Sequence, residues 1–294
     1  MTVLQYFNDL SSRLNLTDRQ IESINASRNR ILTALQASSK IFLIYQKPCF
    51  YTGSYSRDTI IRPLDDIDLY IRINYSKHAE GKSPREIMVL FIQAIKKTLP
   101  MTPMKVSPPC IEIKFSDKRF EVVPVVSYKD NTDLYDIPTS DLKGWELCYP
   151  TLPNKWLTQA NKRNGGFFIP LIKMVKQWIR NNNLRKPIKS FHIELLTDLA
   201  FSEYSIENYP IGIYLWFYLT HELLQHNRMP FIIEPEGHEY VDKYLYRNPM
   251  LLKIFKSKVN EGLKQSSIAI NYWQRGHEGH AVAVFKKLFG SPCQ

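Results

Sequence analysis

Gly53-Ser54-Tyr55-Ser56-Arg57-Asp58-Thr59, followed by Leu64-Asp65-Asp66-Ile67-Asp68-Leu69-Tyr70-Ile71, sets a Gly-Ser turn ahead of an Asp-x-Asp pair inside an apolar run. Leu64 to Ile73 has the length and the Ile, Leu and Tyr content of a β-strand. Strand side chains alternate between faces, so Asp66 and Asp68 share one, with Cα atoms about 6.5–7 Å apart. Asp65 falls on the opposite face. Neighbouring carboxylates repel unless a divalent cation sits between them, and Mg²⁺ takes hard oxygen ligands while gripping substrate phosphates. Turn or cap acids would run into Gly or Pro, whereas Leu-Tyr-Ile follows here. The turn at Gly53 is expected to open a short helix that Arg62-Pro63 ends. Its backbone N–H groups and the Ser54 hydroxyl can hold a phosphate. A phosphate turn beside a metal-binding pair points to nucleotidyl transfer.

That chemistry needs a third acid, because two catalytic metals about 3.5–4 Å apart share ligands. Glu121, in Arg119-Phe120-Glu121-Val122-Val123-Pro124, is the candidate, and Glu112, in Ile111-Glu112-Ile113-Lys114-Phe115, is its rival. The two runs read as arms of a β-hairpin around Ser116 to Lys118. Glu121 is equally readable as a ligand facing the aspartates or as a solvated edge acid.

Outward from this core, residues 3–38 have helical spacing, with Thr17 as an internal N-cap. Ile41 to Tyr45 reads as a short strand. Ser83-Pro84-Arg85-Glu86 opens a helix that runs to about Leu99. The section 128–166 is rich in loop signals, with Pro138, Pro150, Pro153 and Gly165-Gly166. Helical patterns then cover 168–182, 189–202, 209–226 and several pieces between 237 and 289. The expected organisation is α+β: a mixed sheet with flanking helices over 1–160, N-terminal helix included, and a helical bundle over 161–294.

The chain has 294 residues, 44% of them hydrophobic and 13% aromatic, enough for a sizeable core. A net charge of +11 favours polyanionic ligands: nucleoside triphosphates, nucleic acid or an acidic membrane surface. Basic residues cluster at Lys155, Lys162 and Arg163, at Lys173, Lys176 and Arg180, and at Lys253, Lys256 and Lys258. Cys49, Cys110, Cys148 and Cys293 form no C-x-x-C pair, which suits a reducing cytosol. The N-terminus lacks a signal-peptide pattern, and the longest apolar run, Ile211 to Thr220, is short of the roughly 20 residues that span a bilayer. A cytoplasmic protein with no membrane partner is expected. His277-Glu278-Gly279-His280 departs from His-Glu-x-x-His and reads as a polar helix start.

The Gly53 and Asp66-x-Asp68 blocks resemble the DNA polymerase β-type nucleotidyltransferase superfamily. Within it the chain is most similar to the bacterial cGAS/DncV-like nucleotidyltransferases, the SMODS-domain proteins. Trp145-Glu146-Leu147-Cys148-Tyr149-Pro150, Leu171-Ile172-Lys173-Met174-Val175-Lys176-Gln177-Trp178, Lys189-Ser190-Phe191-His192-Ile193-Glu194 and Ala281 to Gly290 resemble further family blocks, in the family's order. The resemblance implies a polymerase β-like core with its active site in a cleft against the helical bundle. It implies two Mg²⁺, or Mn²⁺ in their place, on Asp66, Asp68 and Glu121. Gly53, Ser54, Lys176 and Ser190 would contact phosphates, Phe191 would stack on a base, and Cys148 would meet a base edge. Read from residues alone, Lys176 is a solvated lysine and Phe191 a core residue. His192 reads as structural.

Three positions depart from the family pattern. Glu121 stands where Asp is usual, and Asp58 where Gly or a small residue is usual. Cys148, a weak hydrogen-bonding group, replaces the polar residue of some relatives, which leans the expectation toward purines. The implied activity joins NTPs, ATP first and GTP second, into a cyclic oligonucleotide, with a purine-containing cyclic dinucleotide favoured. The implied setting is antiphage signalling through a downstream effector protein, and the enzyme is expected as a monomer. Nucleic acid is not a required partner, though two alternatives keep it open: an RNA-activated oligoadenylate synthetase and an RNA nucleotidyltransferase. A non-catalytic nucleotide sensor on the same scaffold is the alternative from another class.

Overall fold

A computed structural model describes residues 1–38, 47–64, 66–127, 133–225 and 240–291. In chain order, the helices are α1 (Val3–Leu14), α2 (Asp18–Gln36), α3 (Gly53–Ser56), α4 (Pro84–Thr98), α5 (Leu152–Arg163), α6 (Phe168–Asn181), α7 (Ser190–Ala200), α8 (Tyr209–Gln225), α9 (Lys243–Tyr246), α10 (Pro249–Gln274) and α11 (Glu278–Phe289). The strands are β1 (Cys49–Tyr51), β2 (Asp66–Ile73), β3 (Met104–Ser107), β4 (Cys110–Lys114), β5 (Arg119–Ser127), β6 (Tyr135–Pro138) and β7 (Trp145–Cys148). They gather into two compact units. One takes Leu16–Asp58 and Leu64–Asn154, the other Met1–Asn15, Thr59–Pro63 and Lys155–Gln294. This differs from the expected 1–160 and 161–294, because α1 and the segment Thr59–Pro63 belong with the later helices.

The first unit is built on one sheet in the order β1-β2-β5-β4-β3, with β6 pairing β5 and β7 pairing β6. β2 and β5 run parallel, and the other pairs are antiparallel. β2 alternates strictly: Ile67, Leu69, Ile71 and Ile73 are at most 1% exposed, which turns Asp66 and Asp68 to the opposite face. On the buried side lie Ile87, Met88, Phe91 and Ile95 of α4, which packs on β3, β4 and β5. α2 packs on α4 in turn. The Ser83 side chain caps α4 and Glu86 reaches back to the Ser83 N–H, a reciprocal capping box with Pro84 at the first helical position.

In the helical unit, Val3, Phe7, Leu10 and Leu14 of α1 join one continuous core with α6, α7, α8, α10 and α11. Phe7 meets Phe285 edge-on at 4.8 Å, and Trp178 meets Phe217 at 5.0 Å. Gly262 makes room for Phe217, since a Cβ there would lie 2.3 Å from Phe217 Cε1.

Residues 3–38 form two helices rather than one. Asn15 is extended, and Thr17 caps α2 in a capping box with Gln20. α5, β6 and β7 stand where loops were expected. β6 and β7 are four residues each, too short for a period to show, and β6 contains Pro138. α5 carries Pro153 in its first turn, where the missing N–H costs a helix nothing. The expected strand at Ile41 to Tyr45, together with Asp65 and Cys293, lies outside the described residues.

Candidate active site

The sheet register assembles the acids. Asp66 stands opposite Arg119, and Asp68 opposite Glu121, on the parallel strands β2 and β5. Glu121 in turn faces Glu112 on β4, and Glu112 faces Lys105 on β3. One row across four strands therefore reads Asp68, Glu121, Glu112, Lys105. Glu121 lies on a central strand, not at an edge, and its rival Glu112 occupies the same face beside it. Like charges directly opposite each other destabilise a sheet, and here they add to what burial does to the carboxyl groups. Burial, with help from Asp66, pushes Asp68 up to about 6 against the pull of Arg57 and Arg119. Burial, then Asp66 and Asp68, pushes Glu121 up to about 7. The free thiol of Cys110 on β4 is pushed up to about 12, first by burial and then by Glu121, Asp68 and Glu112. All three shifts are led by burial, with neighbouring carboxylates adding to it.

The Gly-Ser turn is pressed onto this face. The Thr52 N–H donates to the Asp68 carbonyl at 3.1 Å, and α3 packs on β2. Gly53 has φ 62°, and a Cβ on it would fall 1.7 Å from Asp68 Oδ2. The two motifs are thus one contact, and glycine is the residue that permits it. Asn154 Nδ2 donates to Ser56 Oγ at 2.6 Å and ties down the far end of α3. Asp58 takes φ 53°, the left-handed conformation that glycine adopts most easily, at the position where the family resemblance expects Gly or a small residue.

Among the described residues, no three His, Cys, Asp or Glu side chains gather into a ready-made metal cage. Mg²⁺ does not ask for one: it keeps several waters and binds through one or two carboxylates plus substrate phosphates. The donors on this face are hard carboxylate oxygens, beside a glycine turn that makes room for Asp68. The set fits Mg²⁺ or Mn²⁺.

The helical unit brings together the other predicted residues differently. Lys176 is buried, and its ammonium donates to the Thr59 carbonyl at 3.0 Å, to Thr59 Oγ1 at 2.9 Å and to Glu194 Oε1 at 2.7 Å. Thr59 Oγ1 also donates to Glu194, at 2.6 Å. Lys173 is buried too, bonded to Asn15, and Arg180 reaches the Arg62 and Pro63 carbonyls. Lys173 and Lys176 are therefore interior, while Arg180 is half-buried. Ser190 is exposed at the start of α7, with Phe191 next to it. Phe191 lines a cavity of about 510 Å³ with Lys189, Tyr240, Val241, Lys243, Tyr244, Arg247 and Asn248. Among the described residues, three cations and three aromatic rings edge it. Lys189 Nζ lies 5.2 Å over the Tyr244 ring. Lys243, Tyr244 and Arg247 were missed from sequence; Tyr240, Lys243, Tyr244 and Arg247, spaced by three and four, were the available signal.

His192 is fully buried under this cavity, as a structural residue would be. The Lys189 N–H donates to the Tyr244 hydroxyl at 3.0 Å, and that hydroxyl is hydrogen-bonded to His192 Nδ1 at 2.9 Å. Burial, then the Lys189 charge, lowers the imidazole to about 4. His277 is the N-terminal cap position of α11, and Glu278 accepts the Val3 N–H at 2.6 Å, which matches the helix-start reading. Cys148 lies in β7 opposite Tyr135. No described helix is long and apolar enough to cross a membrane.

Residues 1–161 match the Second Messenger Oligonucleotide or Dinucleotide Synthetase (SMODS) domain. The chain is 25% identical to a cyclic AMP-AMP-AMP synthase of Acinetobacter sp., over 99% of this chain and 85% of that protein. It is 23% identical to a probable cyclic nucleotide synthase of Bacillus cereus, over 97% and 95%. Its fold is similar to that of Escherichia coli CdnC solved with ATP (TM-score 0.70, 18% identity, 99% of this chain and 98% of that one). It is also similar to Vibrio cholerae DncV, a dinucleotide cyclase solved with ATP and GTP (TM-score 0.76, 14% identity, 99% and 97%). With more than half its length matched, the chain belongs to the SMODS family, the nucleotidyltransferases that synthesise cyclic oligonucleotides.

Proposed function

We propose that the protein joins purine nucleoside triphosphates, ATP among them, into a cyclic oligonucleotide, with Asp66, Asp68 and Glu121 as its catalytic acids. The observation that carries this is the register of β2 on β5, which sets Asp68 opposite Glu121 while the Gly53 turn lies against Asp68. Bound Mg²⁺ supplies acidity to the attacking hydroxyl and counter-charge to the triphosphate. Asp66, Asp68 and Glu121 offer the oxygens that hold it. Glu121 is one methylene longer than the family's usual aspartate, and its pairing opposite Asp68 lets it reach the same side.

Gly53 and Ser54 position phosphate through the turn. In the helical unit Ser190 hydrogen-bonds phosphate, Phe191 stacks a base, and Lys189, Lys243 and Arg247 give the cavity its affinity for anions. Cys148 meets a base edge. Lys176 contributes by holding Thr59 and Glu194, which fixes α6 and α7 behind that cavity. The product is read by a downstream effector protein. An adenylate-containing product agrees with the name of the Acinetobacter relative, and ring size is set by experiment.

The test is incubation with all four NTPs and Mg²⁺, phosphatase treatment and mass spectrometry. Phosphatase-resistant cyclic products made from purine NTPs are expected, and Asp66→Asn should make none. Linear ladders that need double-stranded RNA would replace this reading with the RNA-activated one. Unaltered product from Asp66→Asn would overturn the site.

A further inference from the structure

We propose that Arg119 is a built-in counter-cation of the carboxylate face: it holds Asp66 in the free protein, and Glu112 receives it when a divalent ion takes Asp66. The inference rests on the reading of Asp66, Asp68 and Glu121 as metal ligands and adds how the unloaded face is kept. Asp66, Asp68, Glu121 and Glu112 bring four carboxylates to one face of three adjacent strands. Lys105 sits at the far end of the row, 3.5 Å from Glu112 Oε2. Arg57 acts on Asp68, and Arg119 is the cation in contact with Asp66. Its Nη2 bonds Asp66 Oδ1 closely and lies 3.7 Å from Glu121 Oε1, while its Nη1 lies 3.7 Å from Glu112 Oε2.

The way it is held matters. A guanidinium has five N–H donors, and in a structural clamp it forms paired bonds to one carboxylate. Among the described residues, Arg119 makes one close bond, its other carboxylate neighbours stand off, and its buried Nε has no acceptor. Such an arrangement neutralises charge without locking geometry. The side chain is 39% exposed, so it has room to turn. A guanidinium and a divalent ion compete for the same Asp66 oxygen. Glu112 is in reach of the same fork and stands one strand further from Asp68 than Glu121 does. It is placed to accept the displaced charge without giving up an aspartate.

The experiment measures Mn²⁺ binding to the full-length protein without nucleotide, by electron paramagnetic resonance of free Mn²⁺, across a double-mutant cycle. Arg119→Gln should bind Mn²⁺ tighter by about tenfold or more, since a competing charge in contact with the ligand is gone. Glu112→Gln alone should bind it several-fold more weakly, because Arg119 then stays on Asp66. In the Arg119→Gln background, Glu112→Gln should change nothing. Equal weakening by Glu112→Gln in both backgrounds would make Glu112 a metal ligand and overturn the proposal. Unchanged or weaker binding by a folded Arg119→Gln would overturn it as well. Arg119→Lys, which keeps the charge but offers a single ammonium, should fall between wild type and Arg119→Gln, and covers the case of an unstable Gln variant. Asp66→Asn is the control: if it leaves Mn²⁺ binding intact, the metal reading itself fails, whatever the cycle shows.

Discussion

At the scale of the residue, Gly53 is the most constrained position of the site. Alanine there meets two obstacles at once, a left-handed φ of 62° and an oxygen of Asp68 1.7 Å from the new methyl. Either the turn or the carboxylate must move by an ångström or more, and displacements of that size in a catalytic constellation cost about a hundredfold. Gly53→Ala should therefore cut product formation by about that factor while the circular dichroism spectrum stays that of the wild type. Wild-type turnover would mean that Asp68 does not need its present seat. Asp66, Asp68 and the turn were legible because each is a local pattern: a period of two in one case, a Gly-Ser pair in the other. Glu121 was legible only as a candidate. Which strand lies beside which is not written in a single run of residues, and the facing of Glu121 on Asp68 is a property of the pair. Arg119 carried no local signal, because its importance comes from standing opposite Asp66.

At the scale of the element, three motif blocks far apart in the chain meet at Lys176, Thr59 and Glu194. The sequence showed Lys176 on an amphipathic helix and Glu194 in a block three residues after Phe191, but not that the two ions share one buried site. Removing one partner of a buried ion pair strands the other, at a cost of about 3–5 kcal/mol. Lys176→Met and Glu194→Gln should each lose stability on that order in urea unfolding, and Lys176→Met/Glu194→Met should recover part of it. If Lys176→Met keeps full stability and only raises the KM for NTP, its ammonium serves the substrate instead. The long helices were read correctly because a period of 3.6 has many turns in which to show itself. β1, β3, β6 and β7, of three or four residues each, had none.

At the scale of the whole molecule, stability should depend on pH through His192. Its folded pKa, about 4, lies below the unfolded value near 6.5. The neutral ring is favoured by folding, so this contribution is complete above pH 6.5 and is lost as the pH falls through 4. The difference amounts to about 3 kcal/mol. His192→Gln should flatten that part of the acid limb in urea unfolding at pH 7 and pH 4.5, and an equal loss in variant and wild type would rule His192 out. The division of the chain was the least legible feature of all. α1 looked like the start of the sheet unit because it is next to it in sequence, yet its apolar stripe is completed by side chains near the other end of the chain. Phe7 waits for Phe285 and Phe289. During synthesis, α1 therefore leaves the ribosome with an apolar face that nothing nearby can cover, while the sheet unit already has its own core. A chain cut short of α11 would leave Phe7 of α1 without Phe285 and Phe289, and so with its apolar stripe open to water.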